Sequence, residues 1–254
     1  MHRPALALLA MAAACAALGF SSAARADADD AGPGEALNEY NIYSPYVTEG
    51  QSEVEFRMAQ DRDSSVLVDG ARGYTLSFAH AFTSWWQPEV YVGKYERDPR
   101  LANQLTGYEF ENIFQLTPQG EYFADFGFLA SYEYQSHLSS ANAFEYGPLI
   151  EMHTGRIRQR LNIIYEKEVG RLREDKGVEY RGAYNVSFLW VPTFAPGIDL
   201  FARPQSDVYQ AGPSVSGEWH IGSSELEYDA GVVFKLGDKG PDTTLVMRLE
   251  YEFF

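Results

Sequence analysis

From Leu226 onward the chain alternates. Leu226, Tyr228, Ala230, Val232, Phe234 and Leu236 are apolar, and Glu227, Asp229, Gly231, Val233 and Lys235 stand between them. After Gly-Asp-Lys-Gly-Pro-Asp the pattern restarts, with Leu245, Met247, Leu249, Tyr251 and Phe253 on one face and Arg248, Glu250 and Glu252 on the other. Successive side chains of a strand point to opposite faces, so a period of two over this length predicts a long hairpin. The same reading, carried back up the chain, predicts ten more strands, at 52–58, 74–82, 89–95, 108–116, 122–134, 144–152, 156–166, 178–191, 198–203 and 214–221.

In most of them one face is aromatic or aliphatic and the other charged. Val54, Phe56 and Met58 alternate with Glu53, Glu55 and Arg57, and Ile157, Leu161, Ile163 and Tyr165 with Arg158, Arg160 and Glu166. The third strand is ambiguous in phase, because Val90 and Val92 fall on one face and Tyr91 and Tyr95 on the other. Pro148 lies inside a strand, where it cannot donate to the ladder, and predicts a bulge. Gly127, Gly147, Gly182 and Gly231 would permit close approach or curvature.

The connections after odd-numbered strands are mostly long and polar, and those after even-numbered strands mostly short. Barrels of the bacterial outer membrane have short periplasmic turns and longer external loops. The expected fold is therefore all-β: a closed antiparallel transmembrane β-barrel of about twelve strands with both termini periplasmic. Closure follows from solvation, since an unpaired N–H or C=O in lipid costs several kcal/mol. Trp85, Trp86, Trp190 and Trp219 fall near expected periplasmic turns, where an aromatic girdle belongs. Alternation alone also permits a water-soluble barrel or sandwich, with a polar outside and an apolar inside.

Composition sharpens this reading. Aromatic residues make up 15% of the 254 residues, with 17 Tyr and 16 Phe. No apolar run of roughly 18 residues exists outside the N-terminus, which excludes a helical membrane protein. His2 and Arg3, the apolar stretch 4–20 and Ala24-Arg25-Ala26 read as a secretory leader over 1–26, removed with Cys15, the only cysteine. A lipoprotein signal at Cys15 is the rival, with Ala12 where leucine is preferred. Loss of Arg3 and Arg25 leaves 18 basic against 36 acidic residues, a charge of −18. Such a chain binds no nucleic acid through a basic surface.

Residues 27–49 are expected to form a periplasmic N-terminal segment and 50–254 the barrel. Asn38 to Tyr46, with three tyrosines, reads as a periplasmic lead-in or as a segment tucked into the barrel mouth, the first being preferred. With the polar face inward, the lumen candidates are Glu53, Glu55, Arg57, Glu109, Glu111, Asp125, Glu133, Glu145, Glu151, Arg158, Arg160, Glu179, Arg181, Glu218, Glu227, Asp229, Arg248 and Glu250. Two readings stay open. One is a narrow aqueous path whose acidic wall favours cations or neutral solutes. The other is a plugged or salt-bridged interior whose charges hold the barrel. His80, His137, His153 and His220 are scattered, without metal-ligand spacing, so neither metal nor cofactor is expected.

Leader, alternating strands and aromatic terminus together resemble the outer-membrane β-barrel class, porin-like or transporter-like. That resemblance implies the outer membrane of a Gram-negative bacterium and diffusion of small solutes. It also implies contact with membrane lipid and lipopolysaccharide, and handling by the barrel-assembly machinery. A non-conducting scaffold holding a periplasmic partner through residues 27–49 is the alternative. In the class the terminal Phe shares the outward phase; Phe253 does and Phe254 is a one-residue overhang. His137-Leu138-Ser139 followed by Asn142 loosely resembles the His-x-Ser-Asn arrangement of outer-membrane phospholipases, which are also twelve-stranded. Strand parity puts His137 and Ser139 on the side of Glu133, away from lipid, and the tight motif context is absent. An enzyme is therefore not expected, and a lipid hydrolase is a remote alternative.

Overall fold

The computed structural model describes residues 40–66, 68–97, 104–136, 141–173 and 177–254. Twelve strands form one closed antiparallel barrel in which each pairs with its chain neighbours and β12 closes on β1. They are β1 (Ser52–Arg62), β2 (Arg72–His80), β3 (Trp86–Arg97), β4 (Gln104–Gln115), β5 (Asp125–Gln135), β6 (Asn142–Thr154), β7 (Ile157–Val169), β8 (Glu179–Phe188), β9 (Ala195–Arg203), β10 (Val208–Ile221), β11 (Ser224–Lys235) and β12 (Thr243–Phe253). The closing seam is continuous, running from Ser52↔Phe253 through Phe56↔Leu249 to Arg62↔Thr243.

The wall is inverted relative to a water-soluble barrel. Val54, Leu76, Phe78, Val90, Phe110, Tyr132, Phe144, Ile198, Phe234 and Leu249 are exposed on the outside. Their chain neighbours Glu55, Ser77, Glu89, Glu109, Glu111, Glu145 and Glu250 are buried. Phe78 is 46% exposed and Ser77 only 2%. A continuous apolar exterior of this extent is unfavourable in water and favourable in acyl chains, so lipid is the solvent of the outer face. The barrel is therefore a transmembrane one.

We call the end holding the start of β1 and the finish of β12 the turn end, and the opposite end the loop end. Connections after even strands lie at the turn end, and two of them are tight: 155–156 and 222–223. Gly155 and Gly222 there have φ of 64° and 69°, a backbone region that side chains with a Cβ rarely adopt. At the loop end, residues 63–64 are latched to Asp242. The Asp242 carboxylate accepts from Lys235 Nζ at 2.5 Å and from the Ser64 amide at 2.9 Å, and the Asp242 amide donates to Asp63 at 3.1 Å. The lysine, and then the Ser64 amide, hold the Asp242 carboxyl below its usual range.

Several expectations about elements are corrected. The β9–β10 connection does not fill the interval between 203 and 214. It is a single 3-10 turn, Pro204–Ser206, closed by Asp207 at φ 57°, so β10 begins at Val208. Residues 122–124 precede β5 instead of opening it, and β8 stops at Phe188, before Trp190 and Val191. No bulge forms at Pro148: β6 keeps one register against β7 on both sides of it. Gly147 makes that possible, since a Cβ there would lie 1.9 Å from the Ile163 carbonyl oxygen.

The irregularity sits in β3. Register shifts between Leu76 and Ser77 on β2, and between Tyr91, Lys94 and Tyr95 against β4. One extra residue near Gly93 reverses the phase, so Tyr91 is inside and Tyr95 outside. That is the physical origin of the ambiguous third strand.

Candidate functional site in the barrel lumen

Residues 40–47 run through the lumen. At the loop end the Tyr40 hydroxyl donates to Gln210, and its ring meets Phe201 edge-on at 5.1 Å. At mid-barrel the Tyr43 amide donates to Asn162 Oδ1 at 2.7 Å, and Asn162 Nδ2 donates back to the Tyr43 carbonyl at 3.1 Å. The Tyr43 hydroxyl donates to Glu111 at 2.8 Å. Near the turn end the Tyr46 hydroxyl donates to Asp125 at 2.7 Å and the Val47 amide to Gln115 at 2.8 Å. Tyr43 also packs with Leu129, Leu149 and Ile164 in a small apolar cluster inside a polar lumen.

This corrects the preferred lead-in for residues 40–47. Their backbone groups find side-chain partners on the wall that a free periplasmic segment would lack. β1 starts where β12 finishes, whereas Tyr40, the first described residue, lies at the opposite end of the barrel. Gly127 provides the necessary room, since a Cβ there would meet Pro45 Cβ at 2.8 Å. Gly127→Val is expected to displace the segment at a cost of about 1–3 kcal/mol. Hydrogen exchange at 43–47 checks this: amides as protected as in the parent chain would contradict it.

Among the residues expected on the inner face, Glu55, Arg57, Glu109, Glu133, Glu145, Glu151, Arg160, Arg181, Glu227, Asp229, Arg248 and Glu250 take part in ion pairs. Arg181 holds Glu145 through both terminal nitrogens, at 2.9 and 2.7 Å. Arg160 meets Glu151 at 2.7 Å, where His153 also contacts the carboxylate at 2.7 Å. Arg248 reaches Asp229 at 2.5 Å, Glu250 at 2.8 Å, Glu227 at 3.4 Å and Glu55 at 3.7 Å, joining β1, β11 and β12. Arg57 pairs with Glu55, and its guanidinium lies 5.2 Å from the ring centres of both Tyr43 and Tyr91. A cation between two aromatic faces ties the threaded segment to β1 and β3.

Parity missed other members. Lys94, inside only because of the β3 bulge, bridges Glu109 at 3.1 Å and Glu133 at 2.7 Å. Glu89 and Gln87 also lie inward on β3, and Gln87 donates to Glu53 at 2.6 Å. The usable signal was Gly93 beside the phase conflict, a common mark of a bulge. Glu53, Glu250 and Glu252 converge at the turn end with oxygens within 4.8 Å of one another, as do ligand atoms of Glu218, His220 and Glu225. Amide donors from Gln87 and Gln51 serve Glu53 and Glu252, easing the repulsion in the first group.

Trp85 and Trp86 lie at the β2–β3 connection, Trp190 at the β8–β9 connection and Trp219 beside the β10–β11 turn, all at the turn end. Trp219 stacks on Tyr228 at 4.6 Å, and Trp85 on Phe114 at 6.2 Å. His137 and Ser139 lie outside the described residues. Asn142 opens β6, where its side chain bonds the Gln135 amide and the Tyr132 hydroxyl.

No protein-family model and no curated protein matches this chain. Among solved structures, the KdgM porin matches with a TM-score of 0.51 and 13% identity, over 80% of this chain and 98% of that one. The KdgM porin in complex with disordered oligogalacturonate matches with a TM-score of 0.50 and 12% identity over the same shares. At such identity the likeness is one of fold: this chain has a porin-type barrel.

Proposed function

We propose that the barrel is an outer-membrane pore or transporter for small solutes, favouring cations, with its turn end in the periplasm. The carrying observation is the lumen: a closed wall whose inward side chains are ionisable and dominated by carboxylates. Such a surface lowers the barrier for cations and raises it for anions. The KdgM porin's oligogalacturonate is a polyanion, and this acidic wall argues against an equivalent solute here.

Planar-bilayer recording of the purified chain tests the reading. Discrete conductance steps are expected, with a reversal potential in a KCl gradient shifted toward that of K⁺. A folded, inserted protein giving no steps would sink it. A shift toward the Cl⁻ potential would remove the cation preference alone.

The threaded residues 40–47 favour a second reading, a barrel that is closed and serves as a scaffold for a periplasmic partner. Lipopolysaccharide outside and the barrel-assembly machinery are the contacts expected under either reading.

A further inference from the structure

At the turn end a cavity of about 370 Å³ opens between β7, β10, β11 and the β8–β9 connection. Pockets of this size accept small organic ligands. Arg156 and Arg158 line it on one side, and Leu189, Trp190 and Pro192 on another.

Arg158 differs from the other inward cations. Arg57, Lys94, Arg160, Arg181 and Arg248 each sit on a carboxylate. Arg158 donates only to hydroxyls, Ser216 Oγ at 2.9 Å and Ser187 Oγ at 3.3 Å. Glu227 and Asp229 line the same cavity but are held by Arg248 at 3.4 and 2.5 Å. Among the described residues neither Arg158 nor Arg156 has a carboxylate at ion-pair distance. A guanidinium carries five N–H donors, so two hydroxyls leave Arg158 with donors to spare.

We propose that this cavity binds a small organic acid with an apolar body. The carboxylate accepts from Arg158 and Arg156, because planar guanidinium donors match carboxylate geometry. The apolar body lies against Leu189, Trp190 and Pro192, which offer it a surface with no charge to desolvate. Arg156, Arg158 and Arg160 share the cavity with Glu218, Glu227 and Asp229, so it is the two guanidiniums without a carboxylate partner, not a net positive charge, that would select among solutes at the turn-end mouth. In that role it rests on the pore reading, but binding is measured without conduction, and a barrel that binds without conducting would overturn only the pore.

The test is calorimetry on the full-length folded barrel in micelles, at constant ionic strength, with three probes. Sodium benzoate carries both features, benzamide is its neutral isostere, and sodium acetate lacks the apolar body. Saturable benzoate binding is expected, with benzamide at least roughly tenfold weaker, the value of about one charge-assisted hydrogen bond, and acetate at least roughly tenfold weaker for want of the ring's apolar burial. Arg158→Gln should weaken benzoate by a similar factor, with folding checked by heat-shifted gel mobility. Arg156→Gln, in the exposed turn, should weaken it severalfold without touching the wall. Benzoate binding no tighter than benzamide, or unchanged in both variants, would overturn the site. Acetate binding as tightly as benzoate would overturn the apolar body.

Discussion

A chain lacking residues 40–47 will conduct severalfold better than the full chain in planar bilayers while keeping the same strand content. Eight strands already give an interior that side chains fill, and twelve enclose more. Here the surplus is occupied by an extended segment bonded to Gln210, Glu111, Asn162, Asp125 and Gln115 on four different strands. The strands close on one another through their own ladders, without help from the segment. Its removal therefore clears volume while the wall survives. Tyr43→Ala should do part of the same, because it removes the Glu111 bond, the Arg57 face contact and the cluster with Leu129 and Leu149. Equal conductance in the parent and shortened chains would show that the segment does not set the width of the path.

The largest loss of stability is expected from Lys94→Met. The ammonium lies between Glu109 and Glu133, with side chains 6%, 8% and 12% exposed. Its loss leaves two facing carboxylates with Ser131 and Gln135 as hydrogen-bond donors, at 2.7 and 2.8 Å. Removing one partner of a buried ion pair costs about 3–5 kcal/mol, because the remaining charge keeps its desolvation penalty. Urea unfolding of the barrel in micelles should show a lower midpoint. Lys94→Met combined with Glu133→Gln should regain part of the loss, since one uncompensated charge is then gone. A single variant as stable as the parent would place these carboxylates in free contact with water.

Most of the wall was legible before any coordinates. The strands starting at Ser52, Asn142, Ile157 and Ser224 carry apolar–polar alternation over most of their length, and a period of two over such a stretch marks a strand. Glu55, Glu109, Glu145, Arg181 and Asp229 follow directly, because a residue's face in a regular strand is set by its parity. Parity fails at one inserted residue. The bulge near Gly93 hid Lys94 and Glu89. Pro148 suggested a bulge that Gly147 made unnecessary. The 3-10 turn at Pro204–Ser206 replaced a loop, because Asp207 adopts a left-handed conformation open to few non-glycine residues.

The sequence by itself determined the strands and, outside β3, which residues of each share a face, one apolar and one rich in carboxylates. These are properties of short windows, decided by the alternation of side chains and the solvation of the backbone. Only the tertiary structure decided what fills that lumen and which charge answers which. Tyr43 reaches Glu111 across 68 positions and Tyr40 reaches Gln210 across 170. No local pattern encodes contacts at such separation; they exist because closure of the barrel brings all twelve inner faces around one axis.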